Sequence, residues 1–278
     1  MSKKQKKDQI KELEHLSMYR EYKVVKANAL VQKSRFNLTM QEQKIILYLI
    51  SKIKPQDMEL EEHIFQIKDF CKLCGLDSDS GANYSYIKKT LKGLRDKSIW
   101  VTLDDGYEST LSWMDYVKLG IKSGAVIIKI SNMMKPYLLE LQQHFTQYEI
   151  LYILAMKSQY SIRLYELLKS YEYKHKLIIN IDDLKRKLFA EKYDRFPDFR
   201  RKVLDISMRE INELSDIFVD YTPIKESRSY AKIEFTIKLK KNINDRLEAW
   251  QKIDEVINPA QISLVDEKPT ILEEMETK

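Results

Sequence analysis

The segment Phe65-Gln66-Ile67-Lys68-Asp69-Phe70 returns later in the chain as Ile179-Asn180-Ile181-Asp182-Asp183-Leu184, with the same apolar positions and the same helix-starting aspartate. A second echo pairs Ile99-Trp100-Val101 with Ile217-Phe218-Val219. Both recur at roughly 115 residues, one domain length, so the pattern is a duplicated domain and not a solenoid of short repeats.

The elements around each echo follow one order. In the first half, residues 38–50 predict a helix: Thr39 and Glu42 have capping-box spacing, and Ile45, Ile46, Leu49, Ile50 and Ile53 form its apolar face. Pro55 marks its end. A strand over 64–67 leads into a short helix stopped by Gly75. A longer helix fits 83–98, with Ile87, Leu91 and Leu94 inward, and strands follow at 99–103, 111–119 and 125–130. Asp104-Asp105-Gly106 turns between the first two of them. The second half gives a helix over 161–169, a strand over 178–181 and a short helix from Asp182. A long helix then runs from Asp198 to about Ser215, and strands follow at 217–221 and 231–239. Helix, strand, short helix, long helix and strand hairpin is the winged helix-turn-helix order. The expected class is α+β: two tandem winged helix-turn-helix domains related by internal duplication. Their spans are a basic arm 1–24, a first domain 25–143, a second domain 144–241 and a tail 242–278.

Composition removes several function classes. All six glycines lie between Gly75 and Gly124, so no loop elsewhere can let its backbone approach a phosphate closely. The nearest candidate, Gly120-Ile121-Lys122-Ser123-Gly124, lacks P-loop spacing. Cys71 and Cys74 have no second pair and read as core residues. His15, His63, His144 and His175 are scattered, Glu59, Glu61 and Glu62 read as a solvated loop, and no nucleophilic triad follows from spacing. No cofactor, metal or catalytic residue is expected. Without an apolar run of about 20 residues the chain has no membrane span, and the basic N-terminus has no apolar segment behind it. A cytoplasmic location is expected.

The net charge of +6 is compatible with a nucleic-acid partner without requiring one. Its placement says more. Read as starting at an Asp198 cap behind Pro197, the long helix holds Arg200, Arg201 and Lys202 near its electropositive end. Cations there are unfavourable by roughly 0.3–1 kcal/mol each, so an anionic partner is the better reason for them. Helical spacing puts Phe199, Val203, Leu204, Ile211 and Leu214 on one arc, and Arg201, Lys202, Asp205, Arg209 and Asn212 on the other. Such a helix can pack by its back and enter a major groove by its front. Arginines closed against the chain's own carboxylates, with no open ridge, would defeat this reading. Lys225, Arg228 and Lys232, in or beside the hairpin turn, suit contacts to phosphates or the minor groove, against the alternative of a solubilising polar turn. In the first half Lys88, Lys92 and Arg95, with Lys89 nearby, form either a second DNA surface or a solvated face.

These residues also carry a resemblance. Asn28-Ala29-Leu30-Val31, Leu38-Thr39 with Glu42-Gln43-Lys44, Tyr160 to Leu168, and Phe199-Arg200-Arg201-Lys202-Val203-Leu204 resemble the RepB-type, iteron-binding plasmid replication initiators, in order, from about Val24 to Lys240. The resemblance implies two winged-helix domains and binding to direct-repeat double-stranded DNA at a plasmid origin. It also implies opening of an adjacent AT-rich region, recruitment of a host initiator and replicative helicase, and a homodimer, formed through the first domain, that represses its own promoter at an inverted repeat. Arg200, Arg201 and Lys202 match the family's recognition-helix motif. The family's mid-helix proline is absent, replaced by Asp205-Ile206-Ser207-Met208. A winged-helix regulator with no replication role and a metal-dependent nicking initiator are the competing readings. The absence of a His-x-His pair argues against the second.

Overall fold

A computed structural model describes residues 23–53, 57–120, 123–139, 141 and 144–257. Most of the basic arm, and the acidic tail residues Asp266, Glu267, Glu273, Glu274 and Glu276, lie outside the described residues. The first unit runs β1 (Lys23–Ala27), α1 (Asn28–Gln32), β2 (Ser34–Arg35), α2 (Met40–Ser51), β3 (Glu62–Gln66), α3 (Ile67–Leu73) and α4 (Gly81–Asp96). It continues through β4 (Ser98–Thr102), β5 (Glu108–Ser112), β6 (Met114–Leu119), β7 (Ala125–Ile130) and α5 (Lys135–Leu138). The second runs β8 (Phe145–Glu149), α6 (Ile150–Ala155), α7 (Gln159–Lys169), β9 (Lys176–Asn180), α8 (Ile181–Leu188) and α9 (Phe196–Phe199). A π-helical turn (Arg200–Leu204), α10 (Asp205–Leu214), β10 (Ile217–Glu226) and β11 (Ser229–Leu239) complete it, and α11 (Ile243–Val256) follows.

Local chemistry sets these boundaries. At the start of α2 the Thr39 hydroxyl accepts from the Glu42 amide at 3.3 Å, while the Glu42 carboxylate accepts from the Thr39 amide at 2.7 Å. This is the capping box that the spacing predicts. α3 ends at Gly75, whose φ of +70° is a left-handed position that glycine adopts without a Cβ penalty. Gly106, at φ +87°, turns β4 back into β5 in the same way.

The duplication is exact in register at its most legible point: Ile67 opens α3 directly after β3, and Ile181 opens α8 directly after β9. Sheet topology repeats too. β9 pairs with β11, which pairs with β10; β3 pairs with β7, which pairs with β6. Each unit therefore carries a three-stranded sheet with a terminal hairpin, the wing.

That topology corrects one expected correspondence. The wing of the first unit is β6–β7, whereas Ile99-Trp100-Val101 lies in β4 of an additional hairpin, β4–β5, which pairs with β2. The echo with Ile217-Phe218-Val219 of β10 is therefore one of chain order and not of sheet position. The single strand expected over 111–119 is two strands. Trp113 and Met114 are both buried, so alternation fails and the chain changes sheet there. Trp113 fills the corner edge-on to Phe36, at 5.1 Å between ring centroids. The tail, expected from residue 242, instead begins with α11, which buries Trp250 against Tyr152 of α6 at 5.0 Å.

Both units open on a strand and helix that the sequence reading omits, β1–α1 and β8–α6. β1 and β8 pair antiparallel with each other, from Lys23↔Glu149 to Ala27↔Phe145. Around this shared ribbon the apolar core is continuous across both units. Polar groups cross the same seam. The buried Lys26 ammonium pairs with the Glu166 carboxylate of α7, which also accepts from the Tyr148 hydroxyl. Arg163 lies 3.7 Å from Glu166, and its Nη2 donates to Val31 O at 3.0 Å, Ser34 O at 2.9 Å and Ser34 Oγ at 2.9 Å. Lys44 Nζ donates to Leu154 O at 2.7 Å, and Gln43 Nε2 to Gln159 O at 3.3 Å.

Glu166→Ala leaves two cations buried without their carboxylate. It should cost about 3–5 kcal/mol, read as a lower urea midpoint with both units lost in one transition. A second expectation concerns pH. Burial brings the Lys44 pKa from its ordinary 10.5 down to about 8. Between those values the unfolded chain holds the proton and the folded chain does not, so this group's contribution rises with pH across that window and is flat below it. Relative to Lys44→Met, the wild-type chain should gain up to roughly 1.4 kcal/mol per pH unit there, measured by urea unfolding at stepped pH. Parallel profiles would contradict it.

Candidate nucleic-acid interface

α9, the π turn and α10 form one composite helix across the second unit. Phe199, Val203, Leu204, Ser207, Met208, Ile211 and Leu214 are buried along its back. Ser207 sits against Ser161 of α7, 3.4 Å between hydroxyl oxygens, where two small side chains let the helices approach closely. Arg200, Arg201, Lys202, Asp205 and Arg209 are exposed on the other side.

The helix begins earlier than its composition suggests. Arg195 is the N-cap, Pro197 lies within the first turn, and Asp198 is inside the helix and not its cap. Pro needs no donor there, and Asp198 suits the positive helix end. The three cations therefore come one turn later, within the π turn, and the expected conflict with the helix dipole is weak.

Arg200 and Arg201 each have an internal carboxylate. Arg201 Nη2 lies 3.1 Å from Asp198 Oδ1, and Arg200 Nε lies 3.6 Å from Asp205 Oδ1. The side chains are nonetheless 71% and 59% exposed, so the ridge is open. Exposed ion pairs contribute about 0–1 kcal/mol, so neither pair closes the ridge to a phosphate or a base edge. Asp205 also accepts from the Tyr221 hydroxyl of β10 at 2.8 Å.

Asn212 is a correction. Its amide donates to Val219 O at 2.9 Å and accepts from Val219 N at 2.7 Å, so both ends fasten α10 to β10. The helical-wheel reading missed this because the same arc that faces outward at Arg209 meets the sheet one turn later.

The wing stands beside the helix start. Its turn places Ser227 at φ +59°, with exposed Arg228 next to it. Lys225 Nζ lies 5.1 Å from the Tyr230 ring centroid, and Tyr230 packs on Phe196 of α9 at 4.6 Å. Lys232 pairs with Glu226 at 2.6 Å. The wing is thus pinned to the helix close to its turn, by an aromatic pair with a cation on its outer face. Periodicity gave no sign of Phe196, Tyr221 or Tyr230 as supports, because each acts across elements distant in the fold.

In the first unit Ile87, Leu91 and Leu94 are fully buried, and Lys89, Lys92 and Arg95 are exposed with Lys88 half-buried. These four cations and Ser85 line an open groove of about 540 Å³ whose far wall is Tyr116, Val117 and Leu119 of β6. A basic helix beside its own wing strand thus recurs in both units. Elsewhere, burial pushes the Cys74 thiol up to about 12 and raises that of Cys71, leaving both as neutral core groups. Among the described residues no helix is long and apolar enough to cross a membrane.

Asn212→Ala should destabilise the second unit by about 1–3 kcal/mol, because two β10 backbone groups lose partners. Measured where the variant is folded, its affinity for a DNA duplex should match that of the wild-type chain. A loss of about 1–3 kcal/mol in binding, the scale of a lost base contact, would return Asn212 to the interface.

Comparison with known proteins agrees with this architecture. Two family signatures match: "Initiator Replication protein, WH1" over residues 23–169 and "Initiator Rep protein, WH2" over residues 180–237. The PI protein of Escherichia coli is 29% identical over 147 residues, which cover 46% of this chain and 48% of that protein. A replication initiation protein of Escherichia coli is 27% identical over 206 residues, covering 70% of this chain and 63% of its own length. The chain thus spans between about half and two thirds of these relatives. The crystal structure of the Pi initiator protein in complex with iteron DNA shares the fold, with a TM-score of 0.64 and 23% identity over 80% of this chain and 99% of that one. With two winged-helix units in order and more than half the chain matched by the first signature alone, the protein belongs to the plasmid-type initiator replication protein family.

Proposed function

We propose that this chain initiates plasmid replication by binding direct-repeat (iteron) double-stranded DNA at the origin through both winged-helix units. The observation that carries this reading is the composite helix. Its back is fixed on α7, and its front offers Arg200, Arg201, Lys202 and Arg209 to solvent beside a wing carrying Lys225, Arg228 and Lys232. Lys88, Lys89, Lys92 and Arg95 of α4 give the first unit a matching cationic surface. The fold shared with a Pi–iteron DNA complex supports the same assignment.

The mechanism uses binding energy alone. Phosphate contacts from both units set register, and the composite helix reads base edges. Several copies on an iteron array bend and strain the neighbouring AT-rich duplex, which opens. The bound array then recruits the host initiator and replicative helicase in the cytoplasm. A homodimer formed through the first unit represses the chain's own promoter at an inverted repeat.

Arg201→Ala is the direct test. Against a duplex selected by the wild-type chain from a randomised library, specific binding should weaken by about 1–3 kcal/mol, with relaxed preference at one position. Lys88→Ala should instead weaken binding to all sequences alike and lower the salt slope by about 1. A wild-type chain that selects no consensus sequence would overturn the proposal.

A further inference from the structure

The π turn changes which side chains share the helix front. In a regular α-helix, residues five apart point about 140° away from each other, so Arg200 and Asp205 would diverge. Here the Asp205 amide bonds to Arg200 O, closing a wider turn of five residues. The two side chains leave the helix together, with Arg200 Nε 3.6 Å from the Asp205 carboxylate. Tyr221, half-buried on β10 against Phe235, donates its hydroxyl to that same carboxylate at 2.8 Å.

We infer that Tyr221 and Asp205 are positioning residues for Arg200. They hold its guanidinium on the reading face of the π turn and so determine sequence specificity without contacting DNA themselves. This rests on the iteron-binding reading above. The geometry suits the task. A long arginine side chain on an open ridge loses much rotamer freedom when it docks, and a carboxylate anchored to the wing sheet removes part of that cost beforehand. Pairing through Nε leaves the outer nitrogens to form a fork toward an acceptor pair such as the O6/N7 edge of guanine. The Tyr221 hydroxyl is pushed up to about 12 by burial and by its bond to Asp205, so it remains a donor at any working pH. Because Asp205 is anchored by the sheet, its carboxylate can keep its place when a DNA strand approaches.

The test compares the wild-type chain, Tyr221→Phe, Asp205→Asn, Arg200→Ala and the double variant Arg200→Ala/Tyr221→Phe. The probes are the wild-type-selected duplex and a scrambled one. Tyr221→Phe should weaken binding to the selected duplex about 3- to 10-fold, the scale of one hydrogen bond, and leave the scrambled duplex and the melting temperature nearly unchanged. Asp205→Asn removes a negative charge beside the DNA, so it should bind the scrambled duplex more tightly while its ratio of selected to scrambled affinity falls. On the Arg200→Ala background Tyr221→Phe should have no further effect, because the residue acts through Arg200. Should Tyr221→Phe melt early, Asp205→Asn, at an exposed position, carries the ratio test. Wild-type ratios in both single variants, or a Tyr221→Phe loss that persists without Arg200, would overturn the inference and leave iteron binding standing. A wild-type chain with no consensus would overturn both.

Discussion

Three charged side chains meet at the junction of the two units, where water is largely excluded: Lys26 and Glu166 are each 2% exposed and Arg163 is 4% exposed. Ions placed so deeply carry a desolvation cost of several kcal/mol each, offset only when the remaining donors and acceptors are used. They are used here in part, since Arg163 Nε and Nη1 make no hydrogen bond, and the bonds that do form are directional. Arg163 reaches back to two carbonyls and a hydroxyl of the first unit, and Lys26 and Tyr148, one from each strand of the shared β1–β8 ribbon, converge on one carboxylate. Packed apolar residues in the same place would often be as stable. What a hydrogen-bonded ion cluster adds is registration, because a carboxylate with three partners tolerates little sliding.

Registration between the units is what the proposed activity requires. Two basic helices, α4 and the composite helix, belong to different units, and their relative placement determines which phosphates and base pairs one molecule can touch together. A flexible linker would leave that placement to chance and charge its ordering to binding. Here the seam carries it, through Lys44 to Leu154 and Gln43 to Gln159 as well as the ion cluster. The motifs that resemble the initiator family, residues 28–31, 42–44 and 160–168, lie largely at this seam, whereas the motif at 199–204 lies on the reading helix. The resembling motifs thus lie where the two units are joined and on the helix proposed to meet DNA.

The sequence made local matters legible and cross-chain matters not. The Thr39–Glu42 cap, the Gly75 stop, the β3–α3 and β9–α8 echo and the buried back of the composite helix all follow from side chains within one turn or one strand of each other. The β1–β8 ribbon, the role of Asn212 and the support by Phe196, Tyr221 and Tyr230 depend on partners far away in the chain, and no periodicity encodes them. The π turn escaped for another reason. A wheel drawn at constant pitch assumes the hydrogen-bond pattern it is meant to reveal, and it placed Arg200 off the front that the structure gives it.

The front of that helix is also less cationic than its arginines suggest, and this is consistent with a reader of sequence. Arg201 faces Asp198, Arg200 faces Asp205, and Lys232 on the wing faces Glu226. Each pair is exposed enough to be weak, yet each lowers the field that any duplex would feel regardless of sequence. A phosphate or a base edge must therefore compete with Asp198 for Arg201, or meet the nitrogens of Arg200 that Asp205 leaves open, and only a well-placed acceptor does so. Discrimination is a difference between affinities, and it grows when the competing, non-specific state is made less favourable. With a net charge of only +6 spread over 278 residues, bulk charge offers a duplex little general attraction. On the proposed reading, selectivity rests on a few cations held in register by the seam behind them, three of which, Arg200, Arg201 and Lys232, face an internal carboxylate.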